Sequence, residues 1–318
     1  MTAKEWIKCQ IGVWQFSYDR TLTVQGLRVG ELNRAHRVHL DLSGKGINVS
    51  RLLHRLGIPS RIIGFVAGST GRAIQDGLTA EGFETIFIEV AGETRQNITI
   101  LDEATGACTK INEPGASVGP DDLEAMLALI REAAAEGDLW VFSGSLPPGA
   151  PADLYAQLIG LVQGRGGRAF LDTSGEALRL GLAARPYAIK PNSEEAGELL
   201  GTTIKDNAGH LAAARRLQNA GPVLVCLTRG ADGLVLAYKE ALLLVPPLPV
   251  TVRSPIGAGD AALAGLVWAV QDGCNPLETA RRALACGAAA AMQEGTEVGD
   301  RATVEQLLAQ ARNTPIAG

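Results

Sequence analysis

Paired cysteines, a long apolar run and an excess of basic residues are all missing from this chain of 318 residues. The five cysteines are scattered without a CxxC pair, which favours reduced, buried thiols over a disulfide framework. No uncharged apolar run approaches the roughly 18 residues of a membrane span, so no membrane association is expected. The formal net charge of −5 argues against a nucleic-acid partner, because binding a phosphate backbone requires a basic face.

Metal-ligand spacing and a secretion signal are lacking as well. The four histidines form no H-x-x-x-H pair, and His36 and His39 lie in a stretch that reads as strand and turn. The first residues contain no long apolar segment of the kind found in signal peptides. Apolar residues make up 46% of the chain and charged residues 20%, as in soluble globular proteins. We therefore expect a cytoplasmic protein with a large core.

Glycine, by contrast, is abundant, and the 38 glycines serve turns between apolar strands and helices rich in alanine and leucine. From Pro120 onward strands and helices alternate regularly, which predicts an α/β fold with a doubly wound, mostly parallel sheet flanked by helices. We expect one domain over residues 1–318. The short strands before residue 112 lack helices between many of them, which predicts a small β-sheet lid formed by about residues 12–42 and 84–114.

The stretch Gly257-Ala258-Gly259-Asp260 precedes an apolar helix and has the strongest chemical signal. A tight turn at a helix start directs backbone N–H groups and the helix dipole at one point, which suits phosphate or a developing oxyanion. Asp260 at its rim suits a general base. A plain turn before a core helix is one alternative. A dinucleotide fingerprint through Ala262 is another, but that motif should follow the first strand of a βαβ unit, and only helices follow here.

Two motifs in the first third of the chain suit a hydroxylated, phosphorylated ligand. Ser43-Gly44-Lys45-Gly46-Ile47-Asn48 is not a Walker A loop, and it favours close backbone approach to a ligand whose hydroxyls bind Asn48. The alternative is a helix cap by Ser43. Arg95 is a lone arginine between predicted strands, and its guanidinium suits a substrate phosphate. Its alternative is a solvated charge on an edge strand.

Two later motifs have weaker signals. In Lys190-Pro191-Asn192-Ser193-Glu194-Glu195, Asn192 and Glu195 lie near one helix start, where they would order water around Mg²⁺ or simply cap the helix. In Thr228-Arg229-Gly230-Ala231-Asp232-Gly233, the glycine turn would cradle a nucleotide or simply join a hairpin.

In this order, and with Ser-Gly-Ser-Leu-Pro-Pro-Gly at residues 143–149, the motifs resemble the PfkB/ribokinase-like carbohydrate kinase family over nearly the whole chain. The resemblance is greatest to the branch of 1-phosphofructokinases and tagatose-6-phosphate kinases. The stretches specific to that branch are residues 44–48, 92–97, 111–115, 143–149 and 171–176.

The resemblance implies ATP-dependent phosphoryl transfer to a hydroxyl of a phosphorylated ketohexose, with fructose 1-phosphate as the first candidate and tagatose 6-phosphate as the second. It implies Asp260 as the base, with an anion hole at Gly257, Ala258 and Gly259. The residues that would contact the sugar or its phosphate are Asp19, Ser43, Gly44, Lys45, Asn48, Arg95 and Ser145. The residues that would line the ATP site are Lys190, Asn192, Thr228, Gly230 and Gly233, with Glu195 placing Mg²⁺ through water. Lids in this family often form a homodimer.

The chain departs from the branch in its sugar-recognition half. The usual Asn-Pro-Ala before the aspartate is replaced by Gln15-Phe16-Ser17, and the first glycine of Gly-Gly-Lys-Gly is replaced by Ser43. Phe16 and Tyr18 are bulky, and we expect them to narrow the sugar pocket. A non-catalytic sugar-phosphate sensor is the hypothesis from a different class, although an intact base beside an anion hole argues against it.

Overall fold

Apolar runs that end at glycine or polar turns form the strands of two separate sheets in the computed structural model, which describes residues 9–13 and 16–316. The strands are β1 (Cys9–Val13), β2 (Ser17–Val24), β3 (Arg37–Ser43), β4 (Ser60–Ala67), β5 (Glu84–Val90), β6 (Gln96–Asp102), β7 (Cys108–Asn112), β8 (Leu139–Ser143), β9 (Arg168–Asp172), β10 (Ala188–Ile189), β11 (Leu224–Thr228), β12 (Leu234–Tyr238) and β13 (Ala241–Val245). The helices are α1 (Lys45–Arg55), α2 (Gly68–Ala80), α3 (Pro120–Ala133), α4 (Leu154–Gly164), α5 (Gly175–Ala183), α6 (Ser193–Leu200), α7 (Asn207–Asn219), α8 (Ala258–Gln271), α9 (Pro276–Ala291) and α10 (Arg301–Asn313).

The large sheet has nine strands in the order β13-β12-β11-β10-β9-β8-β1-β4-β5. The strands from β11 to β5 pair in parallel, whereas β12 and β13 add an antiparallel hairpin at one edge. Successive side chains of β8 enter opposite cores: Leu139 and Val141 pack on one face, Trp140 and Phe142 on the other. Helices α1, α2, α8, α9 and α10 cover the first face and α3 to α7 the second. The predicted doubly wound α/β fold is confirmed.

The small sheet, called the lid below, has the order β3-β2-β6-β7. The predicted lid range was too wide, because β5 pairs in parallel with β4 at the edge of the large sheet. Alternate side chains of β5 pack on the two cores of the large sheet, Phe87 on one face and Ile86 on the other. This is the pattern of a strand in a sheet covered on both faces. Gly12 likewise belongs to β1 of the large sheet.

The two faces of the lid differ in polarity. In the paired register, Asp19 lies opposite Asp41 on one side and Asn97 on the other, which makes this face polar. The alternate positions bring Arg20, Leu40 and Ile98 together on the opposite face, which is largely apolar. Asp19 and Asn97 line a cleft together with residues at the carboxyl ends of strands of the large sheet, so the polar face is the one that covers the large sheet.

Helices α8 and α9 pack closely because Gly265 has no side chain. A Cβ at Gly265 would lie 2.6 Å from the Arg282 carbonyl oxygen, so Gly265→Ala is expected to destabilise the fold by about 1–3 kcal/mol. Gly160 in α4 is the matched control, because its Cβ would meet nothing within 4 Å. Gly160→Ala is expected to stabilise by about 0.5–1 kcal/mol, since alanine is the better helix former. Urea denaturation of both variants measures the difference, and equal shifts would contradict the packing argument.

Within residues 9–13 and 16–316, no helix combines the length and apolarity needed to cross a bilayer.

Candidate active site

A cleft of about 400 Å³ lies between the lid and the carboxyl ends of the central strands of the large sheet. The predicted site residues that line it are Asp19, Ser43, Gly44, Lys45, Asn48, Arg95, Lys190, Asn192, Glu195, Thr228, Gly257, Gly259 and Asp260. The lining residues that sequence reasoning did not assign are Ser17, Asn97, Asp172, Ile256 and Thr296. Segments from the two halves of the chain thus meet at the sheet edge where ligands bind in parallel α/β folds.

The turn before α8 has the geometry expected of an anion site. Gly257 is the N-cap residue with φ of 81°, in the left-handed region that favours glycine, and no side chain caps the helix. The Ala258 N–H donates to the Pro255 carbonyl at 3.4 Å, whereas the N–H groups of Gly259 and Asp260, which line the cleft, have no intrahelical partner. Ser254 fixes the turn, since its Oγ accepts from the Ile256 N–H at 3.2 Å and donates to the Gly295 carbonyl at 3.1 Å. Ala258 begins the helix but does not line the cleft.

Asp260 is buried at the rim of this turn, with 7% of its surface exposed. Its Oδ2 accepts a hydrogen bond of 2.8 Å from Asn48 Nδ2, which joins α8 to the first turns of α1. Burial and the nearby Asp172 raise the pKa of Asp260 to about 6, against the opposing effects of the Asn48 hydrogen bond, Lys45 and Lys190. A carboxyl with this pKa is ionised at neutral pH and is still basic enough to take a proton.

The raised pKa of Asp260 predicts that kcat/KM decreases at acid pH. If Asp260 is the base, kcat/KM should fall about tenfold per pH unit well below pH 6, because the protonated carboxyl cannot accept a proton. The ionisation of a sugar phosphate also lies near pH 6, so it must be measured separately by ³¹P NMR and removed from the profile. A limb near pH 4, the range of an ordinary aspartate, would contradict the assignment.

Asp172 and two lysines form a charge cluster beside Asp260. The carboxylate is 1% exposed, with Lys45 Nζ 3.4 Å from Oδ1 and Lys190 Nζ 3.3 Å from Oδ2. Burial alone would raise the pKa of Asp172, but Lys190 and Lys45 outweigh it and lower the pKa. A Cβ at Gly259 would lie 3.2 Å from Lys190 Nζ, so this ammonium group borders the α8 turn. Sequence reasoning missed Asp172, although its place at the end of an apolar strand was a signal.

The residues before Arg95 explain how it is placed. Thr94 pairs with the end of β4, donating its N–H to the Ala67 carbonyl at 3.0 Å and accepting from the Ala67 N–H through Oγ1 at 2.8 Å. The Glu93 carboxylate accepts from the N–H groups of Ser69 and Thr70 and caps α2. Arg95 is therefore held on a rigid support at the cleft wall. Its pKa is lowered by burial, in part offset by Asp19.

The motif at residues 190–195 caps a helix at the wall of the cleft, as one of its two interpretations expects. The Glu195 N–H donates to Asn192 Oδ1 at 2.9 Å and the Asn192 N–H donates to Glu195 Oε2 at 2.8 Å, which is a capping box for α6. Both side chains also line the cleft. The cap thus fixes their orientation toward any ligand there.

Besides Ala258, three predicted residues lie outside the cleft lining. Ser145 is exposed in the loop after β8, and Gly230 lies in a short 3₁₀ turn between β11 and β12. Gly233 has φ of 88°, and a Cβ there would lie 2.2 Å from the Val245 carbonyl oxygen. Close packing of this antiparallel hairpin accounts for Gly233, and residues 228–233 do join a hairpin, which is compatible with a nucleotide role.

Phe16 and Tyr18 do not line the cleft, so the expectation that they narrow it was wrong. Phe16 is buried with its ring centroid 4.9 Å from that of Phe87, inside the core. Tyr18 points to the lid face opposite Asp19, because side chains alternate along β2. Gln15 lies outside the described residues. Ser17 and Ser43, which pair in register, are the altered positions that do line the cleft.

A helix start without a side-chain cap, a buried carboxylate with a raised pKa and clustered lysines beneath a lid are the features of a small-molecule kinase site. Comparison with known proteins gives the same class. The chain matches the family described as pfkB family carbohydrate kinase over residues 11–302, and it belongs to that family. Members use ATP as the phosphate donor, so the protein is an ATP-dependent carbohydrate kinase.

Relatives include the 1-phosphofructokinase of Rhodobacter capsulatus, 38% identical over 300 residues and 94% of both chains. The 1-phosphofructokinase of Bacillus subtilis (strain 168) is 35% identical, over 94% of this chain and 96% of the relative. Among solved structures, phosphofructokinase-2 from Escherichia coli in complex with potassium superposes with a TM-score of 0.91 at 27% identity, covering 96% of this chain and 99% of that one.

Proposed function

We propose that this kinase phosphorylates fructose 1-phosphate to fructose 1,6-bisphosphate. The observation that carries the proposal is that one cleft contains both Asp260, a suitable base, and Arg95, a partly buried guanidinium. An acceptor that already bears a phosphate engages both groups, because the arginine fork binds phosphate oxygens while the carboxylate accepts the proton of the hydroxyl. The relatives described as 1-phosphofructokinases support the choice of sugar.

In the mechanism we propose, Asp260 accepts the proton of the attacked hydroxyl. The first-turn N–H groups of α8, around Gly257, Ala258 and Gly259, stabilise the charge of the transferring phosphoryl group. The transition state of phosphoryl transfer is loose, so most of the acceleration comes from alignment and charge stabilisation rather than from the base. The lid excludes water, which is a competing acceptor.

Each remaining site residue is assigned either to the sugar phosphate or to ATP. We assign the sugar and its phosphate to Asp19, Ser43, Gly44, Lys45, Asn48 and Arg95, with Ser145 from the neighbouring loop. We assign ATP to Lys190, Asn192, Thr228 and the hairpin of Gly230 and Gly233.

Glu195 fits a magnesium role. Its carboxylate lines the cleft and is oriented by the capping box, which suits an ion that is bound through its own water shell. Mg²⁺ bound there would neutralise phosphate charge.

An ADP-release assay across an acceptor panel tests the substrate. We expect the highest kcat/KM with fructose 1-phosphate, compared with tagatose 6-phosphate, fructose 6-phosphate and free fructose. A higher value with tagatose 6-phosphate would favour the alternative sugar. Turnover of free sugars or nucleosides alone would refute the phosphosugar assignment, and ATP binding without any turnover would favour a sensor.

We also propose that the apolar outer face of the lid forms a homodimer. Val38, Leu40 and Ile111 are each about half exposed, and the polar face is already used by the cleft. A second copy of this face is the partner that matches it in chemistry and extent. One solved form of the Escherichia coli relative is described as tetrameric.

Free buried thiols such as Cys9, Cys226 and Cys286 support a cytoplasmic location.

Analytical ultracentrifugation tests the dimer. We expect a wild-type dimer that Leu40→Lys converts to a monomer, whereas Val223→Lys, a control at another exposed apolar position, leaves it intact. A monomeric wild type, or a dimeric Leu40→Lys variant, would contradict the lid interface.

A further inference from the structure

Asp172 is a buried carboxylate that is shared by two lysines from distant parts of the chain. It ends β9, next to Lys190, which follows the neighbouring β10, and 127 residues separate it from Lys45 at the start of α1. Two ammonium groups against one carboxylate give these three groups a net charge of +1, which the ionised Asp260 beside them offsets. The two ammonium groups are still the attractive charges where the negative charges of ATP and a sugar phosphate meet.

We propose that Asp172 is a positioning residue that holds Lys45 on the acceptor side and Lys190 on the α8 side, so that both ammonium groups face the transferred phosphoryl group. The two lysines have distinct surroundings. Lys45 lies one helical turn before Asn48, which binds Asp260, and Lys190 Nζ borders Gly259. The inference rests on the proposed role of Asp260 as the base.

A lysine side chain needs such a partner to act at a defined place. Its four-carbon stem is flexible and its ammonium group is a point charge without a fixed direction, unlike the planar fork of arginine. One buried carboxylate that contacts both ammonium groups removes this freedom in the absence of ligand. Positioning of this kind lowers the barrier, because a displacement of about 1 Å can cost roughly 100-fold in rate.

Structural support of the fold is the competing explanation, and two observations argue against it. The contact between β8 and β9 at this point uses the Asp172 backbone, whose carbonyl accepts from the Gly144 N–H at 3.0 Å, so it does not need the carboxylate. An intact buried ion pair is also weak support for stability, since desolvation offsets the Coulomb attraction, although removal of the carboxylate leaves the buried Lys190 unpaired. The cluster lies in the cleft rather than in either apolar core.

Electrostatics supply a readout that a structural role would not move. The charged or polar groups that face Asp260 are Asp172 on β9, Lys45 and Asn48 on α1, and Lys190 after β10. Asp172 is one cause of the raised pKa of Asp260, after burial. Burial lowers the pKa of Lys45, but Asp172, Asp260 and Glu195 outweigh it and raise the pKa. Loss of the Asp172 charge should therefore lower both pKa values.

The kinetic test compares Asp172→Asn, Asp172→Glu and the control Asp138→Asn. Asp138 is also buried, but it precedes β8 at the opposite end of the sheet. We expect Asp172→Asn to lower kcat about 100-fold and to move the acid limb of kcat/KM below pH 6. Asp172→Glu should keep the limb, because the charge remains, and lose about tenfold in kcat, because the carboxylate is displaced. Asp138→Asn should change neither.

A second measurement needs no substrate. Acetylation of Lys45 by acetic anhydride, followed by mass spectrometry, should be several-fold faster in Asp172→Asn than in wild type, because less of the lysine is protonated. It should be unchanged in Asp138→Asn. The proposal is overturned if Asp172→Asn keeps kcat within about threefold of wild type, or if its acetylation rate equals that of the control. Should the Asn variant fail to fold, an Asp172→Glu enzyme with wild-type kcat refutes it.

The two proposals fail in distinguishable ways. If wild type prefers another acceptor, the assigned sugar is wrong, and the Asp172 variants are then assayed with the acceptor that is used. If wild type uses fructose 1-phosphate and Asp172→Asn retains its rate, only the positioning role is wrong.

Discussion

Asp260→Asn is expected to lower kcat by about 10²–10⁴-fold, the usual contribution of a general base. The asparagine has nearly the same shape, and its Oδ1 can still accept the hydrogen bond from Asn48 Nδ2, now seen at 2.8 Å. What it loses is the ability to take the proton of the acceptor hydroxyl. ATP affinity should change little, because the proposed anion hole consists of backbone N–H groups of α8. Steady-state kinetics and calorimetric ATP titration measure the two effects.

The variant should remain folded, which makes the loss of rate interpretable. Because burial raises the pKa of Asp260 to about 6, the folded state holds this proton more tightly than the unfolded chain does. The stability that this carboxyl contributes is present at low pH and is lost as the pH rises through about 6. Replacing the ionised carboxylate at pH 7 therefore removes an unfavourable buried charge.

Asp272→Asn is the matched control, because Asp272 ends the same helix on the protein surface and pairs there with Arg282. It should leave kcat unchanged. Unchanged kcat in Asp260→Asn, with ATP still bound, would refute the assignment of the base.

Arg95→Ala is expected to raise KM for the phosphosugar by about 10–100-fold, the equivalent of losing one hydrogen-bonded charge pair of about 1.5–3 kcal/mol. The effect should fall on the sugar rather than on ATP, because Arg95 lies next to the lid residues Asp19 and Asn97, whereas the proposed ATP residues follow β10 and β11. Arg95→Lys should recover only part of the affinity, since lysine lacks the fork that binds two phosphate oxygens.

Arg72→Ala provides the comparison, because Arg72 is an exposed arginine of α2 that pairs with Glu89 outside the cleft. Its KM for both substrates should equal that of wild type. A rise in KM for ATP alone, in Arg95→Ala, would show that the guanidinium serves the nucleotide instead.

Local sequence signals predicted much of the helical framework. The sequence pattern predicts helices at residues 193–200 and 207–219, and these match α6 and α7. These segments have caps or glycine stops whose effect depends on neighbours within one turn, such as the capping box of Asn192 and Glu195.

The lid boundary could not be predicted in the same way. Segment 84–90 follows a helix and precedes two short strands, so its position in the chain fits either sheet. Its membership in the large sheet depends on the parallel pairing with β4 and on apolar contacts to both cores. Phe16 was misjudged for a similar reason, since only the packing against Phe87 shows that it points away from the cleft.

The order of the motifs along the chain determined the class of protein and the transfer chemistry, because glycine turns, helix starts and the base beside them are local features. Tertiary structure alone decided which charges act together. Asn48 meets Asp260 across 212 residues, and Lys45 and Lys190 meet at Asp172. Coulomb interactions and desolvation depend on distance and burial in space, so no local pattern reveals them.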